Sequence, residues 1–129
     1  MNNETTLVCS PVSEKPHCGA ADHRERVMGI RDAIDVLSGK WKIEIIGALL
    51  FGGRMRFMDV MREVPGIAAK MLSKELHDLE AHQLVKRTVM DTKPITVEYE
   101  ITPYGKSLEE VIITIANWGL SHRKKIMKG

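Results

Sequence analysis

The spacing of the apolar residues changes twice along this chain, and nothing else in the sequence restricts the fold as much. From Val27 to about His82 they recur three and four residues apart. From Val85 to Ile101 they alternate, and after Thr102 the longer spacing returns. A period near 3.6 buries one face of a helix, and a period of two buries one face of a sheet. The chain is therefore expected to be a set of helices interrupted by one short β-segment.

The breaks between periodic stretches fix the element order. Val27, Ile30, Ile34 and Leu37 line one face of a first helix, which Ser38-Gly39 ends. A second helix is expected from about Trp41 to Phe51. Its apolar residues (Trp41, Ile45, Ala48 and Leu49, with Ile43, Ile46 and Leu50 beside them) cover so much of its surface that it must be deeply buried. Gly52-Gly53 closes it. Phe57, Val60, Met61 and Val64 mark a third helix from about Arg56 to Val64. After the tight turn at Pro65-Gly66, a fourth covers about Ala68 to His82 with Leu72, Leu76 and Leu79 inward. Two short helices joined by such a turn make a helix-turn-helix candidate.

Val85, Arg87 and Val89 then alternate with Lys86, Thr88 and Met90. Asp91-Thr92-Lys93-Pro94 has turn composition, and Val97, Tyr99 and Ile101 resume the alternation, which predicts a two-stranded hairpin. Thr102 as N-cap and Pro103 at the first helical position open a last helix over about 103–127. Its stripe is Leu108, Val111, Ile112, Ile115, Trp118 and Gly119. The fold class is mainly α with a small β-hairpin, in the order of a winged helix-turn-helix with added N- and C-terminal helices. Residues 1–24 form an irregular arm, and residues 25–129 the domain.

Composition narrows the chemistry. The 129 residues suit one domain, and no run of 18 apolar residues offers a membrane span. The polar start from Met1 to Thr6 does not have the form of a signal peptide. A soluble, cytoplasmic protein is expected. Nineteen basic residues against 17 acidic ones give a net charge of +2, so the placement of charge matters more than its sum. There is no glycine-rich phosphate loop, no HExxH and no GxSxG, so an enzyme is not expected and no cofactor is implied. Asp59, Glu63, Glu75, Asp78 and Glu80 fall on helix surfaces near basic neighbours, where solvation is their expected role.

A helix-turn-helix lays its second helix in the DNA major groove. With the leucines inward, that helix turns Ala69, Lys70, Ser73, Lys74 and His77 outward. Lysines neutralise phosphates or donate to guanine, and the helix N-terminus favours an anion. A solvated surface is the competing explanation for this face. Lys86, Arg87 and Lys93 place positive charge along the hairpin and near its tip, either to reach a neighbouring groove or to discourage edge aggregation. Arg54 and Arg56 are further phosphate candidates, with an internal ion pair the alternative for Arg56. Ile30 and Ile34 of the first helix and Leu108, Val111, Ile112, Ile115 and Trp118 of the last are the candidate dimer interface. A dimer would present two reading helices about 34 Å apart to a palindromic operator.

These residues, in this order, resemble the HxlR-type branch of the bacterial winged helix-turn-helix transcriptional regulators, relatives of the MarR type. The resemblance rests on Gly39-Lys40-Trp41, Arg56-Phe57, Leu72-Ser73 with Leu76 and Leu79-Glu80, Leu84-Val85-Lys86-Arg87, Glu98-Tyr99-Glu100-Ile101-Thr102, Gly105 and Trp118. It implies a homodimeric cytoplasmic DNA-binding regulator, a repressor by family habit, with Lys40-Trp41 as a core anchor. Two departures stand out. The sensing cysteine that several members carry about a dozen residues before the Gly-Lys-Trp motif is absent, since counting back from Gly39 reaches Met28. Ala68 stands where many members have a serine N-cap, a difference on the order of 1 kcal/mol.

Cys9 and Cys18 lie in the arm. With His17 and His23 they match no standard metal spacing, so no metal is expected; a reversible disulfide and two inert thiols are the remaining alternatives. The competing functions are a winged helix used for protein contact and a small redox- or metal-responsive protein acting through the arm. No residue set identifies an effector ligand.

Overall fold

The computed structural model describes residues 22–128. The chain divides into two compact units, residues 1–36 and 37–129. Nearly all of α1 (His23–Leu37) belongs to the first. This helix is amphipathic, with Glu25 in its first turn, where an acid suits the helix dipole. Val27, Ile30 and Ile34, the stripe expected from their spacing, are exposed. Gly39 follows with a left-handed backbone (φ 101°), which stops helical continuation.

The second unit contains α2 (Lys42–Gly52), a two-residue strand β1 (Met55–Arg56), α3 (Phe57–Glu63), α4 (Ala69–Ala81), β2 (Val85–Met90), β3 (Thr96–Ile101), a 3₁₀ turn (Gly105–Leu108) and α5 (Glu109–Lys128). Its core is built on α2, where Ile45, Ile46 and Leu49 are almost wholly buried. Around it lie α3, α4, α5 and β3. The other core side chains come from those neighbours: Val60 from α3 and Val64 just after it, Leu72, Leu76 and Leu79 from α4, Val85, Tyr99 and Ile101 from the sheet, and Ile112 from α5. Each such side chain contributes roughly 1.5–3 kcal/mol through burial.

The expected two-stranded hairpin is instead a three-stranded antiparallel sheet in the order β1-β3-β2. Met55 pairs with Tyr99 and Arg56 with Glu98. A strand of two residues is too short to show a period, so only the packed structure reveals it. The hairpin itself is in the expected place, with Val85 opposite Ile101, Arg87 opposite Tyr99 and Val89 opposite Val97. Its expected alternation fails toward the tip. Val85 is buried, whereas Val89 is 54% exposed. The buried end of the hairpin lies against the helices, while Val89 and Ile95 near its tip are exposed.

The last helix also begins differently. Thr102 does act as a cap, since its hydroxyl accepts from Gly105 N–H at 2.9 Å. The residues it caps form the 3₁₀ turn, and α-helical geometry starts only at Glu109. The same hydroxyl donates to the Gln83 carbonyl at 2.7 Å, and Thr102 N–H donates to the Leu84 carbonyl at 3.0 Å. Those two carbonyls belong to the chain reversal that ends α4, where Gln83 is left-handed (φ 63°) and Leu84 N–H bonds back to Leu79. Thr102 thus joins the end of α4 to the end of the hairpin. Gly105 is buried at this junction, and a β-carbon there would lie 2.4 Å from the Leu84 carbonyl oxygen. Among the described residues, no helix is long and apolar enough to cross a membrane.

The crowding at Gly105 involves backbone, which cannot yield as a side chain tip can. Gly105→Ala is expected to destabilise the protein by about 3 kcal/mol. Urea denaturation checks this, and a variant as stable as the parent would show that the junction is loose.

Candidate nucleic-acid interface

α3 and α4 are joined by Val64 to Ala68, with Gly66 left-handed (φ 91°) and Ile67 buried. Trp41, half-buried ahead of α2, reaches this turn, its ring edge 3.7 Å from where a Gly66 β-carbon would be. The ammonium of Lys40 sits 4.8 Å from the centre of the Trp41 ring. Ala68 holds the extended conformation of an N-cap and offers no side-chain acceptor, so the first amide groups of α4 lack that partner.

With Leu72, Leu76 and Leu79 inward, α4 leaves Ala69, Lys70, Ser73, Lys74 and His77 exposed on its other side. The expected outward set is therefore assembled on one element. Beneath it lies a contact that the sequence reading missed. Glu75 is buried, 5% exposed, and bonds the ammonium of Lys42, itself 8% exposed. Asp78 stands 3.4 Å from the same ammonium and 3.6 Å from that of Lys74. Glu75 was expected to be solvated. It is instead an inner residue, because it follows Leu72 by three positions and precedes Leu79 by four. Lys42 likewise precedes the buried Ile45 by three positions and Ile46 by four. The signal was present in the period but carried by charged residues.

The electrostatics follow from these contacts. The hydrogen bond to Glu75 raises the Lys42 pKa, and this outweighs the opposing effect of burial. For Asp78, loss of solvent works upward most strongly, yet the hydrogen bond and charge of Lys42, helped by Lys74, leave its carboxyl below the ordinary value. Lys42 and Asp78 are charged at neutral pH.

The other basic candidates are dispersed. Arg54 bonds Glu100 at 2.9 Å and approaches Glu98 at 3.5 Å, so its guanidinium braces β3. Arg56 precedes α3 with its N–H donated to Asp59 at 3.3 Å and its guanidinium 3.7 Å from the same carboxylate. Arg62 shares that carboxylate at 2.8 Å. Asp59 thus serves as a helix-start acceptor and ion-pair partner as well as a solvated acid. Lys86 and Arg87 are both exposed but, being consecutive in a strand, leave opposite faces of the hairpin. Lys86 lies across from Glu100 and Arg87 from Tyr99. Lys93 is exposed in the turn at the wing tip, where Thr92 Oγ1 donates to the Pro94 carbonyl at 2.7 Å. A hollow of about 240 Å³ lies at the junction of α2, β3 and the 3₁₀ turn, lined by Leu49, Arg54, Glu100, Ile101 and Lys106 among others.

The candidate dimer residues separate into two groups. Ile30, Ile34, Val111, Ile115 and Trp118 are exposed, the last at 68%. Ile112 is not surface at all: it is 4% exposed and packs at Gly47 of α2. Leu108 is half-buried in the 3₁₀ turn. Both belong wholly or partly to the core because α5 docks by its first turn. The exposed stripe extends beyond expectation to Ile126, and the Trp118 ring stacks on His122 with 4.9 Å between centroids. Cys9, Cys18 and His17 lie outside the described residues. Among the described ones, no group of three or more histidine, cysteine or acidic residues is placed to hold a metal.

Comparison with known proteins agrees with this architecture. The model of a family described as HxlR-like helix-turn-helix matches residues 36–127. The uncharacterized HTH-type transcriptional regulator YtcD of Bacillus subtilis is 34% identical over 99 residues, covering 77% of this chain and 78% of that protein. YybR of the same organism, described in the same words, is 38% identical over 90 residues, covering 70% and 71%. Among solved structures, the redox regulator HypR in its reduced form superposes with a TM-score of 0.71 at 33% identity, over 78% of this chain and 99% of that one.

The buried pair yields a stability prediction. Lys42→Met leaves the Glu75 carboxylate buried without its cation, and a loss of about 3 kcal/mol is expected on urea denaturation. Lys42→Met with Glu75→Leu should recover most of it. A single variant with no loss would show that the pair does not brace α4.

Proposed function

The chain belongs to the HxlR-like helix-turn-helix family of transcriptional regulators, and from that premise we propose that it is a cytoplasmic homodimer that represses transcription by occupying a palindromic operator. The observation that carries this reading is the outer face of α4. Lys70, Ser73, Lys74 and His77 are exposed together on a helix whose opposite side is held by leucines and by the Lys42–Glu75 pair. A rigid helix with donors on its free face suits base-edge and phosphate contact.

In this reading the roles of the basic residues differ. Lys70 and Lys74 enter the major groove with α4. Lys93 meets a phosphate from the wing tip, and one of Lys86 and Arg87 faces the duplex while the other faces away. Arg54 and Arg56 act mainly by holding β3 and the start of α3, since carboxylates already occupy their guanidinium groups. The exposed stripe of Val111, Ile115 and Trp118 on α5, and separately Ile30 and Ile34 on α1, supply the apolar surface for a second copy. Repression follows from steric occlusion of a promoter. The redox role stated for HypR does not carry over to this chain, because counting back about a dozen residues from the Gly-Lys-Trp motif reaches Met28 and not a cysteine.

The test is binding of the purified protein to the intergenic DNA beside its own gene over a range of salt, with competitor duplex present. Specific binding that weakens steeply with salt is expected. Lys70→Ala should lower affinity about tenfold and flatten the log–log salt slope by about 0.9. An unchanged slope removes Lys70 from the interface. Binding that ignores salt would favour a protein-contact module instead.

Trp118→Asp should convert the dimer to a monomer on a sizing column while the circular dichroism spectrum is retained. A dimer that survives this change would move the interface away from α5.

A further inference from the structure

Lys42 and Glu75 neutralise one another beneath α4, so that buried pair needs no second carboxylate. Asp78 is nevertheless beside it, 3.4 Å from the Lys42 ammonium and 3.6 Å from the Lys74 ammonium. It links a cation held under the helix to one on the face assigned to DNA. The two cations differ in freedom: the Lys42 side chain is 10% exposed, and that of Lys74 is 65% exposed. Lys42 is fixed, whereas Lys74 can leave.

We propose that Asp78 is a specificity-determining residue of the DNA interface, holding Lys74 in an intrahelical ion pair that only a duplex docked in register with α4 displaces. The proposal rests on the DNA-binding reading above. An exposed pair at 3.6 Å is weak, and a phosphate or guanine acceptor at hydrogen-bond distance outcompetes it. A poorly matched duplex leaves the nearest phosphate too distant to outcompete Asp78, though within reach of a Lys74 that has no ion-pair partner. Lys74 then stays with Asp78 and releases no counterion. On a matched duplex Lys74 exchanges partners, and Asp78 keeps its contact with the Lys42 ammonium, which it shares with Glu75. That fallback partner sets Asp78 apart from Glu80, which is exposed on the same helix and makes no ion pair among the described residues. With two lysines and three carboxylates, α4 is not built for indiscriminate attraction to DNA.

The experiment titrates the full chain with two probes across a salt series: a random-sequence duplex, and the duplex that the wild-type chain enriches from a random library. Asp78→Asn is expected to bind the random-sequence duplex about fivefold more tightly, with a log–log salt slope steeper by about 0.9. Its affinity for the enriched duplex should change less than about twofold, so discrimination falls. Glu80→Gln removes the same charge and should leave the slope unchanged. In a Lys74→Gln background, Asp78→Asn should have no effect on the slope. Thermal melts confirm that each variant is folded. An unchanged slope for Asp78→Asn overturns the proposal, as does an equal gain from Glu80→Gln. Loss of affinity for both duplexes overturns it too, since that marks Asp78 as a brace of the helix. A wild-type chain that binds neither duplex overturns the DNA-binding reading and this proposal together. Wild-type binding with an unaltered Asp78→Asn variant overturns this proposal alone.

Discussion

A helix whose apolar surface is too broad for one neighbour has to be covered from several sides, and α2 is such a helix. Ile45, Ile46 and Leu49 cannot be buried against a single neighbour. α3, α4, α5 and β3 all pack on it, and their positions follow from that requirement. The leucine stripe sets which side of α4 faces the core, but hydrophobic contact is non-directional and sets the orientation only coarsely. The Lys42–Glu75 pair is directional. Together with the buried leucines it holds the inward face of α4 against α2, and hence the opposite face outward. The cost of desolvating two charges is tolerated because each has the other as partner.

The wing depends on a second junction. Gln83 and Leu84 turn the chain after α4, Thr102 and Gly105 begin the path to α5, and Thr102 bonds to both carbonyls of the first pair. The base of the hairpin is thereby anchored to the end of α4. A third strand, β1, and the Arg54 contacts to Glu98 and Glu100 brace the hairpin along its other edge. Away from these supports the hairpin is unsupported, and Val89 and Ile95 stay in solvent. A rigid base and a free tip suit an element that must reach another surface.

Charge in this domain serves two purposes that composition does not separate. Lys42, Arg54, Arg56 and Arg62 are matched with carboxylates and hold elements together. Lys74 is between the two states, exposed yet paired with Asp78. A net charge of +2 conceals this division, since most of the matched cations cancel against acids a few ångströms away. What remains for a polyanion is a small set of side chains on α4 and the hairpin.

The order of the elements, the inner leucines of α4 and the outward set from Ala69 to His77 were legible in the sequence. Each follows from a local period, and burial obeys it wherever a segment is long enough to repeat. The family resemblance rested on the same residues. Three features were not legible. β1 is too short to have a period, and only pairing with Tyr99 and Glu98 makes it a strand. Glu75 and Lys42 occupy inner positions that their charge disguised, and their burial depends on a partner 33 residues away. Ile112 was indistinguishable from the exposed members of its stripe until α5 met Gly47. Local sequence governs which of the longer segments are helical or extended and which face of each is apolar, because those are properties of neighbours along the chain. The tertiary structure decided which charges are paired and which apolar residues remain exposed, because both depend on what lies opposite once distant segments are packed together.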